Sequence, residues 1–406
     1  MNPPGLVLFS PLPPATSGIA DYTAELLPAL AALRPLVVVC ERPQAVAMAL
    51  PAGCTLRDPA AYAAEPALHG LPHIYQLGNN RDHVFVYQAF RQRPGVLVQH
   101  DFNLHYLLDD TTLLRRDAAG YAEVLAEEYG PPGRTLAHLR QLGLFSESQK
   151  LVLGVNTHLA RQAPAVIVHS HWVRERLPPD VQARTTVLPH HGAPQAQAFA
   201  HLSRREARAQ LGLPQDRRVV LSLGYITPPK QIDATLAAMA LLAARGDDAL
   251  FVIGGARNPG YDIDAQVQAR GLAGRVRVTG FLDETTFFTY IVAADVLVNL
   301  RHPTVGESSG TLARAMALGL PAIVHNFGPM AEVPDAAALK VPLELGEPLA
   351  LAAALETLLQ DAALRRRLGA AARRYMRQAC SVEQAARRYV GLVDEVYGDE
   401  MTMRAA

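Results

Sequence analysis

Short apolar runs recur along the chain, and segments long enough to form a helix separate them. Such runs are typical of strands buried on both faces of a parallel sheet, so the pattern predicts an α/β fold with crossover helices. The predicted strands are Gly5–Phe9, Leu36–Cys40, His73–Leu77, Gly95–Gln99, Ala165–His169 and Thr185–Pro189, then Arg218–Leu223, Leu250–Gly254, Val276–Thr279, Val296–Leu300 and Ala322–Val324.

A polar, helix-prone segment separates the two series of strands and predicts two similar domains. The first comprises residues 1–195, with residues 382–406 packing back on it, and the second comprises residues 196–381. The last helix is expected to begin with the capping-box-like Ser-Val-Glu-Gln at Ser381. Residues 101–162 are expected to be mostly helical, with a turn at Pro131-Pro132-Gly133.

Composition narrows the class of protein. With 406 residues the chain exceeds the size of a single hydrophobic core, and 38 basic residues balance 38 acidic ones, which makes a nucleic-acid partner improbable. Its three cysteines, an odd number without CxxC spacing, indicate neither a disulfide framework nor a zinc site and fit a reducing cytoplasm. No apolar stretch is long enough to span a bilayer, while peripheral membrane contact stays open.

Four segments bring polar residues to the ends of predicted strands, where ligands bind in open α/β sheets. The first is the loop PLPPATSGI, which places Ser17 and Gly18 at the start of a predicted helix. Backbone N–H groups and the positive end of the helix dipole favour an anion there, and Gly18 would let a phosphate approach the main chain. The alternative is that the two residues only cap the helix.

The second segment, LGYITPPKQID, carries Gly224 and Lys230 between a strand and a helix. A cation at the start of a helix opposes the helix dipole, so Lys230 indicates an anionic ligand. A solvated loop lysine is the alternative.

The third segment, NLRHPTVGESSGTL, gathers the hydroxyls of Ser308, Ser309 and Thr311, Gly310 and the carboxylate of Glu307 at a helix N-terminus. Hydroxyl and N–H groups suit a diphosphate, and a carboxylate can accept hydrogen bonds from two sugar hydroxyls. A capping cluster is the alternative.

The fourth segment follows the strand that ends at Gln99 and places His100 and Asp101 at the strand end, with His105 a turn further on. Side chains in these positions are expected to face a ligand cleft. A lone histidine is more often structural, so a structural role for His100 stays open.

Taken in order along nearly the whole chain, these segments resemble retaining glycosyltransferase family 4. The matching segments are PLPPATSGIADYT, HD at positions 100 and 101, VIVHSHWVRERL, VLPHHG, LGYITPPKQID, VIGG and GESSGTLARAMALGLPAIV, the last of which resembles a GESSG-type subgroup. The resemblance implies the GT-B fold, two facing Rossmann-like domains with parallel sheets and a C-terminal helix that crosses back to the first domain.

The resemblance also implies an activity: transfer of a sugar from a nucleoside-diphosphate sugar to a glycan, lipid-linked sugar or small molecule, with retention of anomeric configuration and without a metal or other cofactor. By resemblance His100, Glu307 and Lys230 are the catalytic residues, and Asp101 and His105 lie on the acceptor side. The implied donor-binding residues are Gly18, Gly224, Lys230, Arg301, Glu307, Ser308, Ser309, Gly310 and Thr311.

The sequence departs from the family pattern at two points. Tyr225 follows Gly224 where the family has an arginine, and Arg301 is our candidate replacement. The family's paired glutamates correspond to Gly306 and Arg314, so Glu307 stands as a shifted first glutamate and recognition of the ribose and base stays open. An epimerase or phosphorylase on the same fold, or a non-catalytic subunit that binds a sugar nucleotide, are the alternative functions.

Overall fold

The computed structural model describes residues 5–344 and 346–405, with side chains described up to Gly398. These residues form two units. Unit 1 comprises the chain up to Pro189, Val305–Ser308 and the chain from Val382 onward, and unit 2 comprises His190–Thr304 and Ser309–Ser381. The sequence-based expectation placed the first division after residue 195.

Unit 1 is built on a parallel sheet with strand order β3-β2-β1-β4-β5-β6-β7. Apolar residues of β1 alternate between two cores: Leu6 and Leu8 pack on one face of the sheet, and Val7 and Phe9 pack on the other. Helices cover both faces, as continuous apolar strands require. The strands are β1 (Leu6–Phe9), β2 (Leu36–Val39), β3 (Cys54–Arg57), β4 (His73–Leu77), β5 (Val96–Gln99), β6 (Val166–Val168) and β7 (Thr185–Val187).

The helices of this part of the chain include the predominantly helical stretch that the sequence predicts after Asp101. They are α1 (Gly18–Ala31), α2 (Pro59–Ala63), α3 (Val84–Gln92), α4 (His105–Thr111), α5 (Ala118–Tyr129), α6 (Pro131–Gln141), α7 (Glu147–Val152), α8 (Thr157–Gln162), α9 (His171–Arg174) and α10 (Pro179–Gln182).

Unit 2 repeats the architecture with the parallel order β10-β9-β8-β11-β12-β13. Its strands are β8 (Val219–Leu223), β9 (Leu250–Gly254), β10 (Val276–Val278), β11 (Val296–Asn299), β12 (Ala322–His325) and β13 (Ala338–Val341). Its helices are α11 (Arg204–Gln210), α12 (Ile232–Ala244), α13 (Ile263–Ala269), α14 (Glu284–Ala293), α15 (Gly310–Ala317), α16 (Glu347–Gln360) and α17 (Ala362–Ala379).

The last helix, α18 (Val382–Ala405), packs on α1 within unit 1. Tyr389 and Val393 are fully buried in the core that contains Leu26 and Leu30 of α1. Arg34 Nη2 forms an ion pair with Asp394 Oδ1 at 2.5 Å. The end of the chain therefore completes the first unit.

The predicted α/β class, with two parallel-sheet Rossmann-like units and a C-terminal helix, is confirmed. The apolar pattern did not reveal β3 and β13, which lie at the edges of their sheets. Among the described residues, none of the helices combines the length and the apolar composition needed to cross a bilayer.

Candidate functional site

The strand order of each sheet reverses direction at one place. In unit 1, β1 lies between β2 and β4, and in unit 2, β8 lies between β9 and β11. At such a switch point the loops that leave the two central strands diverge, and ligands of open α/β sheets bind in the resulting crevice. The predicted segments around Gly18, Lys230 and Glu307 all follow strands that flank these switch points.

In unit 2 the loop after β8 folds Lys230 back over the end of its own strand. Lys230 Nζ donates to Leu223 O at 3.0 Å, and a Cβ built at Gly224 would lie 2.2 Å from that nitrogen. Gly224 has a φ of +101°, a region that favours glycine. The backbone at Gly224 therefore provides the space that the Lys230 ammonium occupies.

The loop after β11 is tied to the loop after β8 by two hydrogen bonds. His302 N donates to Pro229 O, and Gln231 Nε2 donates to His302 O, both at 2.8 Å. Arg301, the candidate replacement for the family arginine, donates from Nη1 to Leu300 O at 2.7 Å. Arg301 and Lys230 thus belong to two loops held together at the switch point of one sheet.

The N-terminus of α15 lies at the same switch point. Ser309 caps the helix, because its hydroxyl accepts from Leu312 N at 3.2 Å and donates to Asn299 Oδ1 at 3.0 Å. Thr311 Oγ1 lies 3.8 Å from a Cβ built at Gly224, so the structure brings Thr311 together with Gly224 and Lys230.

Two further predicted residues flank this cap. Gly310 is the first residue of α15, and a Cβ there would lie 2.8 Å from Arg314 Nη1. Ser308 precedes the cap and is half-buried. An ammonium group, hydroxyls and the N-terminus of a helix in one place are the groups that hold a phosphate.

In unit 1 the predicted N-cap at Ser17 is confirmed, since its hydroxyl accepts from Ile19 N at 3.3 Å. Gly18 is the first residue of α1, and a Cβ built there would have no heavy atom within 4 Å. The main chain at Gly18 is therefore open to a ligand.

His100, directly after β5, is buried, and its ring lies in a line of polar side chains. His100 Nε2 lies 2.6 Å from Gln76 Oε1, and His100 Nδ1 lies 3.0 Å from His169 Nε2. His169 Nδ1 donates to Leu188 O at 2.8 Å, while burial lowers the pKa of His169 to about 4, so that ring is neutral near pH 7. These contacts fix the orientation of the His100 ring.

The line continues into α1 and α18. Gln76 Nε2 donates to the hydroxyl of Tyr389 at 3.4 Å, and that hydroxyl lies 3.1 Å from the hydroxyl of Tyr22. The edge-to-face contact of Tyr22 with His100 has a centroid distance of 4.8 Å. Sequence reasoning missed Gln76 and His169 as partners of His100, although both lie in or directly after strands that neighbour β5.

Asp101 and Glu307 are two carboxyl groups in unit 1 that interact electrostatically. Asp101 Oδ2 accepts from Asn79 N at 2.7 Å, and Glu307 Oε2 accepts from Val305 N at 2.9 Å. Burial first, and then the charge of Glu307, raise the pKa of Asp101 to about 7. A carboxyl group that titrates near neutral pH beside a second carboxylate is a common feature of functional sites.

The segment that carries Glu307 is held against the end of β5. Phe102 N and Asn103 N both donate to Val305 O, at 2.7 and 3.0 Å. Gly306 has a φ of +81°, and a Cβ there would lie 2.4 Å from Phe102 Cβ. Glycine at position 306, where the family has a glutamate, is therefore required by this close approach.

His105, predicted on the acceptor side, is fully buried. Its Nε2 lies 2.9 Å from the hydroxyl of Tyr121, and its Nδ1 donates to Leu153 O at 3.3 Å. The structure thus places His105 within the helical layer of α4, α5 and α7, and does not bring its ring to the strand end with Asp101.

Comparison with known proteins finds a family match within the second half of the chain. Residues 203–375 match the family model "Glycosyl transferases group 1". An alpha-D-kanosaminyltransferase of Streptomyces kanamyceticus is 29% identical over 52% of this chain and 55% of its own length. A D-inositol 3-phosphate glycosyltransferase of Streptomyces avermitilis is 32% identical over 42% of this chain and 39% of its own. The chain thus spans about half the length of these curated relatives or less.

Solved structures cover nearly the entire chain. Sucrose-phosphate synthase of Thermosynechococcus elongatus superimposes with a TM-score of 0.70 at 21% identity, over 98% of this chain and 100% of that one. The Anabaena protein Alr3699/HepE, in complex with UDP and glucose, does so with a TM-score of 0.63 at 15% identity, over 96% and 100%. The chain therefore has the GT-B fold, and residues 203–375 carry the sequence pattern of group 1 glycosyl transferases.

Proposed function

We propose that the protein is a retaining glycosyltransferase that moves a sugar from a nucleoside-diphosphate sugar to a carbohydrate, lipid-linked or small-molecule acceptor. The observation that carries the proposal is the convergence of Gly224, Lys230 and Thr311 at the switch point of unit 2. This convergence supplies a cation and a hydroxyl in the segment that matches the glycosyltransferase family model. UDP in complexes of a structural neighbour supports a nucleotide-sugar donor.

In this proposal Lys230 and the N-terminus of α15 hold the diphosphate in unit 2, and Gly18 N–H of unit 1 keeps its own assignment as a phosphate contact. The acceptor oxygen forms a bond to the anomeric carbon on the face from which the diphosphate departs. The bond from that carbon to the diphosphate oxygen breaks, and the leaving diphosphate accepts the proton of the acceptor hydroxyl. Positive charge held in place stabilises the leaving group without a metal ion.

Glu307 is assigned to the sugar hydroxyls, and the rigidly held His100 to positioning the sugar. The Val305 N–H fixes one Glu307 oxygen at 2.9 Å, so the carboxylate is oriented before a sugar binds. Of the two residues predicted on the acceptor side, Asp101 keeps that proposed role at the end of β5, whereas His105 supports the helical layer from within. Arg301 is proposed as the second cation of the donor site.

The experiment that tests the proposal is acceptor-dependent release of a nucleoside diphosphate, followed by proton NMR of the product. An α-linked nucleotide sugar is expected to give an α-linked product. Nucleoside diphosphate released without any transferred sugar would favour a hydrolytic or phosphorylase reaction, an interconverted nucleotide sugar would favour an epimerase, and an inverted linkage would contradict the mechanism.

Glu307→Ala separates sugar recognition from nucleotide binding. We expect the variant to lose transfer, because a hydrogen bond to a charged group is worth about 1.5–3 kcal/mol, while its affinity for the nucleoside diphosphate stays near that of the wild type. Calorimetric titration and initial rates measure the two quantities separately. A folded variant that no longer binds the nucleoside diphosphate would show that Glu307 has been misassigned.

We further propose a cytoplasmic location with peripheral membrane contact. Five exposed arginines of α17 lie within about a third of the helix circumference at 100° per residue, namely Arg366, Arg367, Arg373, Arg374 and Arg377. Sedimentation with phosphatidylcholine vesicles, with and without phosphatidylglycerol, tests this contact. Binding that requires the anionic lipid and falls with added salt is expected, and equal binding to both vesicle types would contradict it.

A further inference from the structure

A polar cavity of about 460 Å³ lies in unit 1 at the carboxyl edge of the sheet. Glu41 and Arg42 reach it from the loop after β2, Arg81 and Asp82 from the turn after β4, and Asp110 and Arg115 from the end of α4 and the turn that follows; these six side chains form the mixed-charge cavity. Its volume falls within the range of small-molecule sites, roughly 300–1,000 Å³.

Opposite charges line the mixed-charge cavity without forming ion pairs, although Arg115 Nε donates to Asp110 O at 3.3 Å. Across the described part of the chain, none of its three guanidinium groups or three carboxylates takes part in an ion pair. Asp82 and Asp110 are half-buried, whereas Arg42, Arg81 and Arg115 are exposed. Burial raises the pKa of Asp110 above its usual value, although the nearby charge of Arg81 lowers it.

A ligand can meet these groups through complementary partners of two kinds. Carboxylates only accept hydrogen bonds when ionised, so Asp82 and Asp110 need hydroxyl or ammonium donors. Guanidinium groups only donate, and their fork geometry matches phosphate or carboxylate oxygens. A ligand that satisfies both sets carries hydroxyls for the carboxylates and an anionic group for the guanidinium groups.

The location connects this cavity with the remainder of the candidate site. Glu41, Arg42 and Asp82 also line a neighbouring groove that is bounded by Pro11, Pro14 and Ala15 of the loop after β1. That loop leads directly to Gly18 at the start of α1. A ligand in the mixed-charge cavity would therefore lie beside the loop proposed to contact the donor phosphate.

We propose that the mixed-charge cavity is the acceptor site and that the acceptor is a phosphorylated polyol, such as a sugar or cyclitol phosphate. Its hydroxyls meet Asp82 and Asp110, and its phosphate meets Arg42, Arg81 and Arg115. This assignment rests on the proposed glycosyltransferase function and adds the chemical class of the acceptor. The phosphate belongs either to a free monoester or to the diester of a lipid headgroup.

The test is calorimetric titration of the full-length protein in the presence of saturating UDP, which keeps phosphate probes out of the donor site. Glucose 6-phosphate, glucose and glucosamine share one ring and differ in charge, and glycerophosphoinositol represents the diester. We expect a phosphorylated probe to bind at least about 10-fold more tightly than glucose, because each charged hydrogen bond changes affinity by about that factor. Tighter binding of glucose 6-phosphate indicates the monoester, and tighter binding of glycerophosphoinositol indicates the diester.

Variants localise the binding. Arg81→Gln and Arg115→Gln are each expected to weaken binding of the preferred phosphorylated probe about 10-fold. Arg134→Gln, at an exposed arginine of α6 outside the cavity, is expected to leave this binding unchanged. Asp110→Asn is expected to weaken binding of the same probe through its hydroxyl contacts.

The outcomes separate this inference from the proposed function. If UDP binds but no phosphorylated probe binds more tightly than glucose, or if the two cavity arginines can be replaced without loss, the acceptor assignment is wrong and the donor site stands. Preference for glucosamine, reduced by Asp110→Asn, would replace the phosphorylated polyol with a cationic one. Failure of every nucleoside diphosphate to bind would instead remove the proposed function.

Discussion

Three of the predicted donor residues are glycines, and the structure constrains two of them, Gly224 and Gly18, differently. At Gly224 a Cβ would lie 2.2 Å from Lys230 Nζ, and the φ of +101° disfavours other residues, so the fold itself requires glycine. At Gly18 a Cβ would have no heavy atom within 4 Å. Packing does not explain glycine at position 18, whereas close approach of a ligand to the main chain would.

Gly18→Ala is therefore expected to leave the free energy of unfolding unchanged or slightly raised, while it weakens donor binding about 10-fold or more through steric exclusion of the phosphate. Gly391→Ala is a matched control, because position 391 is also helical and also has no heavy atom within 4 Å of a Cβ. Thermal unfolding and titration with the donor nucleotide measure both effects. Equal donor affinity for Gly18→Ala and Gly391→Ala would contradict the assignment.

Asp101 is a position where a carboxyl group costs stability. Its pKa is about 7 in the folded protein against an ordinary value of 3.8, because burial and Glu307 disfavour the charged form. The folded state thus binds a proton that the unfolded state has already released between these values. Stability from this group is consequently present at low pH and is lost as pH rises from about 4 to about 7.

Asp101→Asn removes this cost and retains an oxygen that can accept from Asn79 N. We expect the variant to be more stable than the wild type by about 1–3 kcal/mol at pH 8, after allowance for solvent screening, and to show little difference near pH 4. Asp216→Asn, at an exposed carboxylate, is the control. Unfolding curves at several pH values measure the difference, and a gain that does not vary with pH would contradict the raised pKa.

At the scale of elements, the sequence pattern predicted every inner strand and two of the four edge strands, β7 and β10, and it missed the other two. β4 and β9 have the predicted bounds, and both lie inside their sheets and are buried along their full length. β3 contains Thr55 and Arg57 among apolar residues, and β13 contains Lys340, since an edge strand is only partly covered. In β3 and β13 these polar residues interrupt the apolar run that marks the inner strands.

The start of α6 depends on local chemistry that the sequence shows directly. Pro131 and Pro132, predicted as a turn, occupy the first positions of α6 after Gly130, where a missing N–H does no harm. A Cβ at Gly133 would lie 1.8 Å from Leu125 O of α5, so this glycine permits α5 and α6 to pack closely. That reason is a tertiary contact and could not be read from the sequence.

Ser308 and Ser309 precede α15 and are expected to differ in what they do. Ser309→Ala removes the cap to Leu312 N and the bond to Asn299 Oδ1, and should lower the free energy of unfolding by about 1–2 kcal/mol. Ser308→Ala should leave stability unchanged and weaken donor binding only. Thermal unfolding and donor titration of the two variants provide the comparison, and a large loss of stability in Ser308→Ala with unchanged donor affinity would refute the distinction.

At the scale of the whole molecule, repetition made the fold predictable. Alternation of apolar runs with helical segments appears twice along the chain, and each unit contains one parallel sheet with a switch point. The pairing of distant residues was not predictable in the same way. Tyr22 and Gln76 meet Tyr389 from near the end of the chain, and Thr311 meets Gly224, because these contacts depend on strand order and on helix packing.

The central claim is that unit 2 binds the diphosphate of a sugar donor through Lys230. The most direct measurement is calorimetric titration of UDP, GDP, ADP and TDP into the wild type, Lys230→Ala and Arg205→Ala, with circular dichroism as a check of folding. Arg205 is an exposed cation of the same unit and serves as the control. We predict that at least one nucleotide binds the wild type and the Arg205 variant with equal affinity. Lys230→Ala is expected to lower the affinity for that nucleotide by about 10- to 100-fold. Wild-type affinity in a folded Lys230→Ala variant, or no binding of any nucleotide to the wild type, would contradict the account.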